Sequence, residues 1–389
     1  MKKKIALMML CVPIMVQAQR IDEVLRSIEQ NNKELQSQTE LLKAQKMENR
    51  VVNNLSDPVL SYGVDHTNGV ANPNKHTYGV SQSFDFPTQY ITRVKQADLK
   101  NMSLDYERQA VRRDILLKAK QTCLDLVRLN QVGKLMQLRM KYAQELEKLY
   151  AERLNSGDVN ILEVNKIKME RMVIQTAVAE NNAAHRQALQ QLLAMNGNLP
   201  LEFSDLDYPE VKAIHDFNVL RDQVIPADYE LKSASALTEA AKKQVSVNKQ
   251  DWLPKLQASY SHSNEKFQHS NAFTIGASLP LFSNRKKVNI AKAQAISAQL
   301  QYENELLEVE NQLMAQFNEM QQLKESLDVY DVPLMYKTLD LLKEALKEGQ
   351  ISLIDYFVEA QSVYGNLEAH MEVENKYQKV MAAIYKNNL

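Results

Sequence analysis

The chain has 389 residues, 47 Lys and Arg against 48 Asp and Glu for a net charge of −1, and only 9 Gly and 10 Pro. So even a balance offers no field for nucleic acid, and so few turn formers argue against an all-β protein or a doubly wound enzyme. Hydrophobic residues reach 44%. Beyond the first twenty positions, however, no apolar run approaches the roughly 18–20 residues a spanning helix needs, which excludes an inner-membrane helical bundle.

At the N-terminus, Met1 and Lys2 to Lys4 lead into the apolar run Ile5 to Val16, and Ala18 is a small residue ahead of Gln19. This is the layout of a secretory signal peptide over residues 1–18. Met8, Met9 and Leu10 ahead of Cys11 lack the small residues of a lipoprotein signal. Cleavage after Ala18 leaves Cys123 as the one cysteine, so an intramolecular disulfide cannot form and stability must come from packing.

The mature chain repeats itself. Leu154, Gly157, Val159, Leu162 and Glu163 recur in register as Leu346, Gly349, Ile351, Ile354 and Asp355, at a separation of 349 − 157 = 192. Pro58 to Tyr62 matches Pro254 to Tyr260 (254 − 58 = 196), and Gly79 to Phe84 matches Gly276 to Leu281 (276 − 79 = 197). The expected organisation is a first repeat over 19–196, a linking segment over 197–225 that holds Pro200 and Pro209, and a second repeat over 226–389.

Each repeat has one region where the apolar period is two, which predicts a strand hairpin over 58–86 and another over 254–282. Tyr78, Val80, Phe84 and Phe86, and Phe273, Ile275, Leu279 and Leu281, alternate with small polar residues. The connections 66–75 and 264–271 are rich in turn formers. Everything else has helical spacing. From about Thr88 to Asn155 and from Asn284 to Glu348 only Gly133 and Pro333 interrupt, and each stretch, if continuous, would reach roughly 100 Å. Steps of three and four, as in Leu135, Leu138, Tyr142, Leu146 and Leu149, are coiled-coil spacing. Gly157 and Gly349 then turn the chain into returning helices over 159–195 and 351–386.

Strands of nine to eleven residues with one greasy and one small polar face suit an outer-membrane barrel with a wet interior. Four strands cannot close one, and lipid tolerates no unpaired backbone, so several chains must pool strands. Three chains supply twelve.

On these residues the chain resembles the TolC-type outer-membrane efflux channels over essentially all of its mature length. The carrying features are the duplication, Asn31 to Leu35, Leu253 to Leu256 entering a strand, Ser81 to Pro87 and Ser278 to Phe282 leaving strands, and the two Gly turns. Pro333, sixteen residues before Gly349, is similar to a proline that family often carries above its second tip. The resemblance implies a mainly α fold with a small β part: duplicated coiled-coil helical hairpins forming a periplasmic α-barrel, and four strands per chain entering a trimeric 12-stranded β-barrel. It implies an outer-membrane exit duct of a tripartite system that passively conducts substrates from the periplasm outward, with no enzyme chemistry and no cofactor. Its partners would be a homotrimer, a periplasmic adaptor (membrane fusion) protein, an inner-membrane pump of the RND type, and outer-membrane lipid. A periplasmic coiled-coil adaptor or scaffold, or an exit channel for type I protein secretion, are the alternatives.

By that resemblance Gly157, Asp158, Val159, Asn160, Gly349, Gln350, Ile351 and Ser352 form the tips that contact the adaptor. Tyr78, Val80, Phe84, Phe86, Phe273, Ile275, Leu279 and Leu281 would face lipid. Glu163 and Asp355, each six residues past its glycine, would set six carboxylates around the periplasmic entrance of a trimer and favour cations. A second family aspartate is replaced here by Val358, and the family's gating arginine by Ile351. His66, His76, His262 and His269 gather near the strand connections, where polar loop residues are the plain reading and no metal site is assigned. No nucleophile elbow, phosphate loop or zinc motif occurs.

Overall fold

The computed structural model describes residues 21–66, 74–212, 214–265, 268–282 and 284–389; the signal peptide reading over 1–18 lies outside them. The elements in order are α1 (Ile21–Asn31), α2 (Lys33–Val51), β1 (Val59–Asp65), β2 (Lys75–Phe84), α3 (Pro87–Ser156), α4 (Ile161–Met195), α5 (Phe217–Val224), α6 (Tyr229–Gln250), β3 (Lys255–Glu265), β4 (Gln268–Ser278), α7 (Lys287–Leu327), α8 (Val332–Lys347) and α9 (Leu353–Ile384). They divide into two compact units, each built from pieces of both sequence halves: among the described residues one comprises 21–34, Arg113–His215 and Ala315–Leu389, the other Leu35–Arg112 and Asp216–Met314.

The first unit is all helix and irregular chain. Its core gathers one apolar stripe from each of four helices, including Leu135, Tyr142 and Leu146 of α3, Val164 and Ile167 of α4, Leu339 and Leu346 of α8, and Tyr356, Tyr364 and Leu367 of α9. The coiled-coil spacing thus does what it predicts, burying the positions at steps of three and four and leaving the other faces wet. Asn31 and Asn32, where α1 gives way to α2, close off the C-terminus of α4. Asn32 Nδ2 donates to the Met195 carbonyl at 2.8 Å and Asn31 Nδ2 to Asn196 Oδ1 at 3.3 Å. The irregular chain after α4 is held by two α3 amides, Asn130 Nδ2 to the Asp205 carbonyl at 2.9 Å and Gln131 Nε2 to the Leu206 carbonyl at 2.8 Å.

The second unit carries one four-stranded antiparallel sheet in the order β1-β2-β3-β4. The two expected hairpins are present, and β2 pairs with β3 to fuse them, from His76 opposite Asn264 to Phe84 opposite Leu256. Three sequence expectations need correction. The strands end at Phe84 and Ser278, so Phe86, Leu279 and Leu281 lie beyond them. The connection expected over 264–271 is far shorter, because β3 runs to Glu265 and β4 starts at Gln268; serine, asparagine and histidine here are strand residues on a polar stretch, not turn formers. Finally, the second long helical stretch is not continuous. Pro333 cannot donate an amide and crowds the preceding turn. The chain therefore leaves the helix after Leu327 and restarts with Asp331 as N-cap, its carboxylate accepting from Leu334 N at 2.9 Å. The segment expected to link the repeats also contains a helix, α5, capped by Asp216.

Replacing Asp331 by Ala removes that cap. Hydrogen exchange of the first-turn amides of α8 is expected to rise about fivefold, the equivalent of a typical ~1 kcal/mol cap, while Asp331→Asn leaves it nearly unchanged.

Candidate pore entrance and membrane-facing sheet

The two Gly turns close the helical hairpins of the first unit by the same hydrogen bonds. Gly157 has φ +81° and Gly349 φ +73°, the left-handed region that costs an L side chain strain. Gly157 N donates to the Leu154 carbonyl at 3.2 Å and Asp158 N to Arg153 at 2.9 Å; Gly349 N donates to Leu346 at 3.2 Å and Gln350 N to Ala345 at 2.8 Å. Both are Schellman closures, which satisfy carbonyls that a helix end leaves without partners. Open space surrounds the missing Cβ at both glycines, so conformation and not crowding requires them.

Three residues on, the chain re-enters a helix through a capping box. Asn160 Oδ1 accepts from Glu163 N at 3.1 Å while Glu163 Oε2 accepts from Asn160 N at 3.0 Å. Ser352 Oγ accepts from Asp355 N at 3.1 Å, and Asp355 Oδ2 accepts from Ser352 N at 3.3 Å and from Ser352 Oγ at 2.6 Å. The two carboxylates proposed for the entrance are therefore N3 residues of α4 and α9, held by the helix starts. Val159 and Ile351, the residues before each cap, pack onto the apolar core, while Asp158, Asn160, Gln350 and Ser352 are exposed. Sequence reasoning missed Leu162 and Ile354 as surface residues, 72 and 59% exposed at equivalent places on the returning helices; their signal was falling outside the core stripe.

Above the tips the two hairpins are tied together. Tyr142 Oη donates to Asp340 Oδ1 at 2.5 Å, and Lys343 Nζ lies 3.9 Å from the Tyr142 ring centre. Arg139 spans α4 and α9, reaching Glu170 at 2.5 Å and Gln361 at 2.6 Å. Arg153 Nη2 donates to the Lys347 carbonyl at 2.6 Å, joining the last turns of α3 and α8. Burial, and then the neighbouring Glu170 carboxylate, push the Tyr356 hydroxyl up to about 12; burial and the Asp340 carboxylate push Tyr142 up as well. A tyrosine pKa raised by folding adds stability below the unfolded value of about 10 and loses it as pH rises, so these hydroxyls stay donors across the neutral range.

In the second unit the sheet register sorts the side chains by face. Leu60 pairs with Val80, Val80 with Tyr260 and Tyr260 with Phe273; Tyr62 pairs with Tyr78; Phe84 pairs with Leu256; Ala258 pairs with Ile275. Directly opposed residues share a face, so Tyr78, Val80, Phe84, Phe273 and Ile275 form one apolar surface together with Leu60, Tyr62, Leu256 and Tyr260. Phe273 and Ile275 are 83 and 88% exposed. The other face includes Ser61, Thr77, Gly79, Ser81, Ser83, Ser259, Ser261, Thr274 and Gly276, with the charged Asp65, Lys75, Lys255 and Glu265 toward its ends. At the end away from the helices the apolar face carries His76, His262 and His269, the last two stacked with ring centres 6.1 Å apart; among the described residues no group of three or more His, Cys, Asp or Glu is arranged to hold a metal ion. His66 lies just beyond β1, its Nδ1 2.7 Å from Asn74 Oδ1.

Where strands give way to helices, an ion cluster forms. Arg93 Nη1 reaches Asp85 at 2.6 Å and Arg93 Nη2 reaches Asp251 at 3.8 Å, while Lys255 lies 3.5 Å from Asp85. Burial works to raise the Asp85 carboxyl, but Arg93 and Lys255 outweigh it and hold the group below its ordinary value.

A model of the outer membrane efflux protein family matches residues 220–387. Over those residues the chain is similar to the outer membrane efflux proteins. No curated protein sequence is a significant match, but the fold of solved outer-membrane channels extends over nearly the whole chain. The channel CusC superposes with a TM-score of 0.77 at 13% identity, covering 95% of this chain and 92% of its own. The Campylobacter jejuni outer membrane channel CmeC gives 0.73 at 16%, covering 94 and 85%, and the Vibrio cholerae outer membrane protein VceC gives 0.73 at 14%, covering 94 and 95%.

Two outcomes follow from this geometry. Asn160→Ala is expected to fray the first turn of α4, raising its amide exchange by about fivefold, whereas Glu163→Gln keeps the box closed because an amide oxygen also accepts the cap N–H. For Asp85, a depressed carboxyl contributes stability above the unfolded value of about 3.9 and loses it as pH falls through the folded value. The stability difference between wild type and Asp85→Asn, followed by thermal unfolding across pH, should therefore be largest near neutrality and shrink below about pH 4.

Proposed function

We propose that the chain is the outer-membrane exit duct of a tripartite efflux system, in which three copies pool their strands into a 12-stranded barrel and their helical hairpins into a periplasmic duct. The observation that carries this is the sheet: four strands of 7, 10, 11 and 11 residues, one face mainly apolar and exposed, the other mainly serine, threonine and glycine, with β1 and β4 as open edges among the described residues. A sheet of that kind is stable in lipid only when its edges pair, and identical copies supply the partner edges. Exposed apolar positions on the helices support side-by-side copies too. Leu162, Met169 and Val173 run along α4, and Ile296, Leu300, Leu307 and Met314 along α7, at steps of four and seven.

In this reading substrates pass without covalent chemistry. The polar sheet face lines the exit, and the apolar face, including Tyr78, Val80, Phe84, Phe273 and Ile275, meets lipid. Asp158 and Gln350, with Leu162 and Ile354 behind them, offer the exposed surface for a periplasmic adaptor that couples the duct to an inner-membrane pump of the RND type. Glu163 and Asp355 from three copies ring the entrance, and such a ring attracts cations.

The native mass of detergent-extracted protein is expected to be that of a trimer; a monomer would overturn the proposal. In planar bilayers the trimer should conduct with cation preference, and Glu163→Gln with Asp355→Asn should move the reversal potential in a salt gradient toward zero while leaving the trimer intact. Unchanged selectivity would remove the acidic ring from the proposal.

A further inference from the structure

Just past β4, Leu279, Leu281 and Phe282 are 64, 59 and 78% exposed. Arg285, Lys286 and Lys287 follow at once, all exposed. This stretch is fixed to the end of α6: Asn284, 4% exposed, donates from Nδ2 to the Asp251 carbonyl, and Asn248 Nδ2 donates to the Lys287 carbonyl at 3.0 Å. The first of these bonds places it beside the turn that carries half-exposed Trp252. Lys286 holds φ +66°, a conformation lysine seldom adopts without a reason in its surroundings.

The charge of this stretch is uncompensated. Arg285 lies over the Phe282 ring at 6.0 Å, and among the described residues no carboxylate stands within ion-pair distance of Arg285, Lys286 or Lys287. The corresponding place in the first half is neutralised, with Asp85 taking both Arg93 and Lys255. The duplicated chain thus ends one hairpin in a closed ion cluster and the other in three cations behind three exposed apolar side chains. The two classes follow each other in the order in which a strand leaves hydrocarbon for water, and cations at that depth meet lipid phosphate.

We propose that Leu279, Leu281 and Phe282 enter the acyl boundary of the periplasmic leaflet and that Arg285, Lys286 and Lys287 bind the phosphates of its anionic phospholipid headgroups. This rests on the reading of the sheet as membrane-spanning. The leaflet is chosen by position: the cations lie at the helical end of the sheet, whereas the opposite end of the apolar face presents His76, His262, His269 and Asn264. In a trimer nine cations would encircle the barrel at this level.

The test reconstitutes the detergent-extracted protein into phosphatidylethanolamine vesicles containing phosphatidylglycerol, or lipopolysaccharide in its place, and counts the lipids retained by native mass spectrometry. Wild type should enrich phosphatidylglycerol, and the combined variant Arg285→Gln, Lys286→Gln, Lys287→Gln should lose at least about fivefold of that enrichment, the effect of one lost surface cation. Wild type alone, titrated with salt, should show the same decline. Equal retention by wild type and variant, or enrichment of lipopolysaccharide only, overturns the inference while leaving the channel standing. Failure of wild type to insert in any vesicle overturns the channel reading and the inference together.

Discussion

Every backbone amide and carbonyl that enters hydrocarbon must have a partner, and the sheet of this protein meets that demand only in its middle. β2 and β3 are paired on both sides; β1 and β4 each keep one edge open among the described residues. The duplication explains why the edges match. Each half makes one hairpin, and the contact that fuses them, β2 against β3, joins the second strand of one half to the first strand of the other. In the proposed assembly the same antiparallel pairing between β4 and the β1 of another copy would continue the sheet with no new kind of contact. Closure by copies is then the simplest extension of a pairing already used inside one chain.

The helical hairpins meet the same demand differently, by ending each helix on itself. The repeat separation of 192 carries Gly157 onto Gly349, Asn160 onto Ser352 and Glu163 onto Asp355, and the hydrogen bonds repeat with the residues. Side chains change between the copies while their roles persist: asparagine and serine are both good N-caps, and glutamate and aspartate both reach back to the cap N–H. What the two tips do not share is their outer surface. Asp158 is charged where Gln350 is neutral, so two similar loops can present different faces to one partner.

Much of this was legible in the sequence because the signals are periodic. A period of two gave the strands and their greasy face, and steps of three and four gave the core of the hairpins. Boundaries were less legible, for identifiable reasons. Alternation continues through Phe86, Leu279 and Leu281 after the hydrogen-bonded ladder has stopped, since apolar residues are also useful where the chain leaves the sheet. Polar residues between Asn264 and Asn271 look like a loop, yet the ladder of β3 and β4 continues through them, His262 opposite Asn271 and Asn264 opposite His269. Pro333 was visible, but its effect depends on Asp331 offering a cap two residues earlier, which converts a kink into a new helix start. The capping boxes are written as Asn160 with Glu163 and Ser352 with Asp355, a three-residue spacing that the charge of the two carboxylates masks.

That double reading of Glu163 and Asp355 is not a conflict. A capping box uses one carboxylate oxygen: Glu163 binds through Oε2 and Asp355 through Oδ2. The second oxygen of each makes no hydrogen bond to a described residue, and the cap fixes where it lies. A charge on a free surface side chain would sample several rotamers and blur any ring it joined; in the proposed assembly a charge held at N3 would be repeated at the same height by every copy. The feature that starts the returning helices is thus the one best suited to hold carboxylates at a constriction, and the glycine turn six residues earlier sets how far from the tip they sit.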